Sequence, residues 1–171
     1  MSFLVRPVRP EEYAETGRVT AQGYHDDQLL SLHGSADTDY EGRLVDAVRR
    51  AAEAELLVAV DETGQVLGTV TWCPPGSVWR ELATDDGQGE FRMLSVAAVG
   101  RRRGVGRALV QACLDRARDA GMTEVVISSL PEMTSAHALY AGLGFTRAPE
   151  LDHSPVPGVH LWAYRLTLEF S

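Results

Sequence analysis

The chain has 171 residues, 44% of them hydrophobic, enough for one compact domain with a sizeable core, and nothing divides it, so a single domain over 1–171 is expected. A formal net charge of −8 argues against nucleic acid as a partner and favours a cationic one. No stretch approaches the roughly 18 apolar residues of a membrane span, the start has neither a basic segment nor a long apolar run, and Cys73 and Cys113 offer neither a disulfide framework nor a zinc spacing, which together read as a cytoplasmic protein with no metal and no membrane contact.

Phe3 to Val8 reads as a first strand, and Pro10 with Glu11 and Glu12 starts a helix that should run to about Gln22. His25 to Asp39 is polar and reads as a loop or short helix, followed by a second helix from Tyr40 to about Glu53. Leu56 to Val60 and Val66 to Trp72 are β-branched runs joined by Asp61-Glu62-Thr63-Gly64, a hairpin. Cys73 to Gly89 is punctuated by Pro74, Pro75, Gly76, Gly87 and Gly89, a long surface loop whose Trp79, like Trp72 before it, fits packing better than a pocket wall.

Glu90 to Arg107 organises the rest. Phe91 to Val96 reads as a strand, and Val105, Ala108, Leu109, Ala112, Cys113, Ala117 and Ala120 recur at helical spacing up to a left-handed cap at Gly121. Between them lies an arginine-glycine loop. The first N–H groups of a helix have no partner within it, and Gly104 and Gly106 let an anion approach the backbone, so a phosphate-bearing ligand is expected there. A Walker loop would need Lys and then Ser or Thr where Arg107 and Ala108 stand, and a dinucleotide loop would need glycine where Leu109 stands.

Beyond this loop, Val125 to Ser129 suits a buried parallel strand after a crossover helix. Thr134 or Ser135 can cap a further helix to Leu143, ended by Gly144, with Phe145 beginning a strand. After a proline-containing connection from Pro149 to Pro157, Trp162, Tyr164, Leu166, Leu168 and Phe170 alternate with Ala163, Arg165, Thr167 and Glu169, a half-buried closing strand.

Two stretches resemble the signatures of the GNAT family of acyl-CoA-dependent N-acetyltransferases. Arg101, Gly104 and Gly106 fall where that family cradles the pyrophosphate of coenzyme A, and Ala136 to Phe145 resembles its second signature, Leu-Tyr, three residues, then Gly-Phe. The resemblance implies an α/β fold of the GNAT acyltransferase type: a mixed central sheet, mostly antiparallel, with helices on both faces and a gap between the organising strand and the one after the crossover that admits the pantetheine arm. The helices of the N-terminal part would line the acceptor side.

Acetyl transfer from a thioester to an amine needs a deprotonated amine, a stabilised oxyanion and a proton for the departing thiolate. By the resemblance, Tyr140 is the proton donor, Glu90 is the base directly or through water, and Leu94, Ser95 and Val96 run along the thioester, whose carbonyl the Val96 amide polarises. Arg101, Arg102, Arg103 and Arg107, with the backbone of Gly104, Val105 and Gly106, would hold the phosphates of acetyl-CoA. Strand alternation puts Glu90, Arg92, Leu94 and Val96 on one side. Ala98 replaces a common proline and Met133 a common asparagine of the family. His137 reads as a packing residue, and His25, His33, His153 and His160 have no partners at metal-ligand spacing. The implied function is direct acetyl transfer in a ternary complex to a small-molecule or peptide amine. A CoA-binding regulatory or degenerate module without turnover and an arginine-loop RNA binder are the alternatives, and the closing strand could support a homodimer.

Overall fold

A computed structural model describes residues 2–26, 42–43, 45–155 and 157–169. Seven strands form one sheet in the order β1-β2-β3-β4-β5-β7-β6: β1 (Phe3–Pro7), β2 (Glu55–Asp61), β3 (Val66–Cys73), β4 (Gln88–Val96), β5 (Glu124–Ser129), β6 (Thr146–Arg147) and β7 (Trp162–Thr167). Every neighbouring pair is antiparallel except β4 and β5. That parallel pair requires a crossover, supplied by helix α3 (Val105–Asp119), and the result is the mixed sheet the family resemblance implies.

The hairpin between β2 and β3 closes because the Asp61 carboxylate accepts from the Thr63 amide at 2.9 Å and the Gln65 amide at 3.0 Å. On β2 alternate residues go to opposite faces. Leu57 and Ala59 join Leu109, Val110, Cys113 and Ala117 of α3 in the larger core, whereas Val58 and Val60 pack with Val19 of α1 (Tyr13–Asp26). A short 3₁₀ turn, Pro10–Glu12, precedes α1, which runs past the expected end at Gln22.

Of the second helix, α2 (Ala47–Glu53) is described, while the expected Tyr40 start and most of the His25 to Asp39 segment lie outside the described residues. Arg50 of α2 is fully buried and donates to Thr71 Oγ1 of β3 at 3.0 Å and Thr20 Oγ1 of α1 at 3.2 Å, so one guanidinium fixes both helices to the sheet. Helix α4 (Thr134–Gly142) lies on the α3 face, where its Tyr140 joins the larger core. Its N-cap is Met133, without a side-chain cap bond, rather than the expected Thr134 or Ser135.

Two expectations about the last strand change. Ala163 and Tyr164 are both buried, at 0% and 7% exposure, while Trp162 is 37% exposed, so the expected alternation does not hold along this strand. The sheet ends not in β7 but in two-residue β6, which pairs with Tyr164 and Arg165, so the strand expected to offer an edge to a second copy lies inside the sheet. Among the described residues no helix is long and apolar enough to cross a membrane.

Candidate active site

The end of β4 leads through a 3₁₀ turn, Ala98–Gly100, into the arginine loop and α3. Gly100 is pressed against β3, where a Cβ would sit 2.7 Å from the Leu67 carbonyl. Arg102 has φ 62, a conformation that costs a residue with a side chain, and Gly104 has φ 78 as the N-cap of α3. No side chain caps this helix, and its first internal bond runs from the Ala108 amide to the Gly104 carbonyl at 3.0 Å. The amides of Val105, Gly106 and Arg107 therefore have no partner among the described residues, and they sit at the positive end of a fifteen-residue helix.

A side chain on Gly106 would reach toward Leu139 of α4 and Val96 of β4, at 3.4 and 3.5 Å, so this glycine keeps open the passage between strand and helix. Arg101, Arg102 and Arg107 are exposed beside the loop. Arg103 turns back instead and donates to the Val99 carbonyl at 3.2 Å, bracing the turn. The residues present fit a diphosphate: free amides, an open backbone and three exposed guanidiniums.

Strands β4 and β5 are paired only over Gln88–Glu90 and Glu124–Val126. Beyond Glu90 they part, and Phe91 to Val96 has no strand partner on the β5 side among the described residues. A gap of this kind is what the family resemblance implies, and Leu94, Ser95 and Val96 lie along it.

The expected alternation of β4 fails at Met93, whose φ of 58 marks a bulge: Met93 and Leu94 together oppose Val70, between the pairs Thr71 with Arg92 and Thr69 with Ser95. One extra residue reverses which side the later residues face. Arg92 and Met93 reach the α1 face, where Met93 packs with Ala21, while Leu94 and Val96 pack in the α3 core. Ser95 points to α1 and donates to the Val19 carbonyl at 3.0 Å, and Gly23 of that helix lies so close that a Cβ would be 1.9 Å from Ser95 Oγ. Glu90 and Arg92 thus face away from Leu94 and Val96, and Ser95 can offer the gap only its backbone.

Tyr140 is 5% exposed and sits among Phe91, Phe145 and Tyr164, with ring centroids 6.0, 5.7 and 5.9 Å away. Burial pushes its phenol well above the usual range, so it keeps its proton through the physiological range. Its hydroxyl has no hydrogen-bond partner among the described residues. Four residues of separation place Tyr140 one helical turn after Ala136 on the side of α4 that meets the sheet.

Glu90 is wholly buried. Its Oε1 accepts from the amides of Glu81, Leu82 and Ala83 at 3.0, 2.9 and 3.0 Å, and its Oε2 from that of Glu81 at 3.1 Å. Burial raises the carboxyl above the usual range, against the pull of those three amides, which favour the charged form. The residue expected as a base is also the anchor of the loop between β3 and β4. That loop places Glu81 between Arg92 and His153, at 3.0 and 2.7 Å.

Sequence reasoning found no partner for His153 at metal-ligand spacing and named none of another kind. Its carboxylate is 72 residues away in the chain, and no local pattern announces such a pair. His137 packs as expected: its Nε2 lies 3.1 Å from both Ser129 Oγ and the Leu130 carbonyl, and its ring stacks on Trp162. Trp72 and Trp79 pack too, at 4% and 2% exposure, with Arg43 and Arg49 over the Trp79 ring.

A splayed parallel pair in a mixed sheet, with an uncapped glycine-entered helix at its mouth, is the architecture of acyl-CoA-binding transferases. Residues 22–145 match the acetyltransferase (GNAT) family, and the chain belongs to that family. The mycothiol acetyltransferase of Cellulomonas flavigena is 32% identical over 125 residues, 68% of this chain and 36% of that protein. The chain spans about a third of the length of the relatives it matches. Among solved structures, a GCN5-related N-acetyltransferase from Kribbella flavida is 25% identical with a TM-score of 0.66, covering 97% of this chain and 98% of that one. The PaiA N-acetyltransferase of Thermoplasma acidophilum, in complex with coenzyme A, shares the fold with a TM-score of 0.75 at 11% identity, covering 98% of this chain and all of that one.

Proposed function

We propose that the protein is an N-acetyltransferase that moves the acetyl group of acetyl-CoA to a primary amine of a small molecule or peptide, by direct attack within a ternary complex. The observation that carries this is the set of unpartnered amides at Val105 to Arg107, opening at the mouth of the gap whose wall holds Tyr140. The mycothiol acetyltransferase relative and the coenzyme A complex of the structural neighbour support it.

In this reading the amides of Val105, Gly106 and Arg107 grip the diphosphate, and Arg101, Arg102 and Arg107 add positive charge. Arg103 stiffens the turn. Acetyl-CoA supplies an activated thioester. The backbone of Leu94 to Val96 orients it along the unpaired edge of β4, with the Val96 amide at its carbonyl. Tyr140, protonated and poorly solvated, donates to the sulfur as the thiolate leaves. Glu90 fixes the loop that borders the acceptor side. With both its oxygens taken by amides, we assign it this positioning work rather than direct proton abstraction.

The setting we propose is the cytoplasm, with no nucleic acid or membrane partner, and a homodimer through β7 is not part of the reading. Release of free thiol from acetyl-CoA, followed across a panel of amines, tests the activity, and calorimetry with CoA tests the site. Coenzyme A binding with no turnover on any amine would establish the alternative of a non-catalytic module, which the full engagement of Glu90 favours.

A further inference from the structure

Where β4 has parted from β5, its last residues are held on their other sides. On the β3 side the Ala97 amide donates to the Leu67 carbonyl at 2.8 Å. Amides alternate between the two edges of a strand, and the register is regular from Ser95 onward, so the Val96 amide is directed away from β3 and into the parting. On one face Val96 packs in the α3 core. On the other the Ser95 hydroxyl donates to the Val19 carbonyl of α1 at 3.0 Å, joining residues 76 apart in the chain. The residue before the free amide is thus tied to a helix.

Gly23, one turn after Val19, makes that tie possible. A Cβ on Gly23 would overlap Ser95 Oγ, while the next nearest atom, Ser95 Cβ, would be 3.1 Å away, so the hydroxyl fills the space a side chain would need. Glycine weakens a helix interior relative to alanine. Its place where α1 crosses β4 therefore answers to the close approach. Ser95 and Val19 are both buried, and Ala21 of the same helix packs on Met93. A shift of this turn of α1 would carry Ser95 with it.

We propose that Ser95 is a positioning residue for the transfer step: its hydroxyl, held by Val19 and given room by Gly23, sets the direction in which the Val96 amide meets the thioester carbonyl. This rests on the acetyltransferase reading above, in which that amide polarises the carbonyl. A strand with one unpaired edge can twist about its remaining ladder, and a hydrogen bond weakens steeply as its angle closes. An N–H turned aside from the developing oxyanion stabilises it less. The hydroxyl itself points to α1 and acts on the ligand only through the backbone. Because α1 is the helix expected on the acceptor side, the same bond joins the two halves of the site.

The experiment uses the full chain and acetyl-CoA isotope-labelled at the thioester carbonyl. It reads the infrared carbonyl band of the bound thioester, kcat with the best amine of the panel, and thermal stability. In the wild type the bound band should lie below that of free acetyl-CoA. Ser95→Ala should return it toward the free position and lower kcat about tenfold, with CoA affinity by calorimetry close to wild type. Gly23→Ala should be the more damaging single change, because its methyl meets Ser95 Oγ. Combining the two removes that oxygen, so the double variant should regain thermal stability while band and kcat stay where Ser95→Ala leaves them. Recovery of all three together would show a hydroxyl that serves packing alone, and it overturns the proposal. So does a wild-type band at the free position, or Ser95→Ala with wild-type band and kcat. If the double variant does not fold, Ser95→Ala decides by itself. A wild-type protein that shifts the band but acetylates no amine removes the acetyltransferase reading instead, and the band in Ser95→Ala still decides the positioning.

Discussion

On the α3 side of the parting between β4 and β5 the groups left without a partner among the described residues are backbone amides, contributed by consecutive residues from Val105 to Arg107. On the α1 side the polar groups are side chains brought from residues 81, 92 and 153 and paired with one another. Backbone recognition of this kind tolerates almost any side chain, needing only a helix start and a glycine, so it suits a donor that never changes. A side-chain constellation can be altered one residue at a time without disturbing the sheet, which suits the partner that varies. The bulge at Met93 separates the two, because it makes one strand present Glu90 and Arg92 to one face and Leu94 and Val96 to the other.

The largest effect should come from the wall between the two sides. Tyr140→Phe removes only a hydroxyl and keeps the ring packed on Phe91, Phe145 and Tyr164. It should lower kcat about 1,000-fold while leaving thermal stability and CoA affinity close to wild type. Because burial holds the phenol above its ordinary range, kcat in the wild type should show no alkaline limb from Tyr140 below about pH 10. A variant that retained wild-type kcat would remove the hydroxyl from the mechanism and leave only packing on that wall.

Next in size is Glu90→Ala, which sharpens the contrast by damaging one side alone. It deprives the amides of Glu81, Leu82 and Ala83 of their acceptor, and the loop loses its anchor. We expect a cost of about 3 kcal/mol in denaturant unfolding, a large fall in kcat, and CoA affinity within a few-fold of wild type. A loss of CoA binding as great as the loss of kcat would show that the two sides are not separable.

The loop side answers to a smaller change. Arg102→Ala removes one exposed guanidinium beside the amides and leaves the backbone at φ 62 as strained as before, since alanine keeps the Cβ. CoA affinity should fall by about 1 kcal/mol, or roughly fivefold, and the loss should shrink as salt is raised. Stability should hardly move. An unchanged affinity would assign the phosphates to the amides without help from this arginine.

These contrasts follow what could be read in the chain. The β4 to α3 stretch was legible because its parts are contiguous: an apolar strand, glycines at the helix start, then apolar residues at helical spacing, each acting within a few positions of the next. The parallel pairing of β5 followed from the crossover helix between the strands. The bulge was not legible, since Met93 carries no mark of positive φ as a glycine or asparagine would, and the alternation rule then placed four residues on one side. Nor was the His153 pair, because its two members lie on different loops and meet only after the sheet has formed. Glu90 was picked out by position, but the amides that hold it belong to the loop's backbone, and no residue type announces them.

The smallest effect concerns Asp152, the neighbour of His153, and it tests how firmly the acceptor side is tied to β6 and β7. Asp152 takes both nitrogens of Arg147, at 2.8 and 2.7 Å, and the Ala163 amide at 2.7 Å. The hydrogen bonds to Arg147 come first among the causes that lower its carboxyl from 3.8 to about 2. A carboxyl held lower in the folded chain than in the unfolded one contributes stability above the unfolded value, and that contribution drains away as pH falls through the folded value. The wild type should therefore lose this contribution between about pH 4 and pH 2, a window in which Asp152→Asn has nothing there to lose. Both members of the pair are about one-third exposed, so water and salt weaken it. The variant should accordingly be less stable at neutral pH by under about 1 kcal/mol, and the two unfolding curves should converge toward pH 2. If they stayed parallel through that window, the Arg147 pairing would contribute nothing to stability, and the bridge from His153 to Leu161 would have to hold the segment without it.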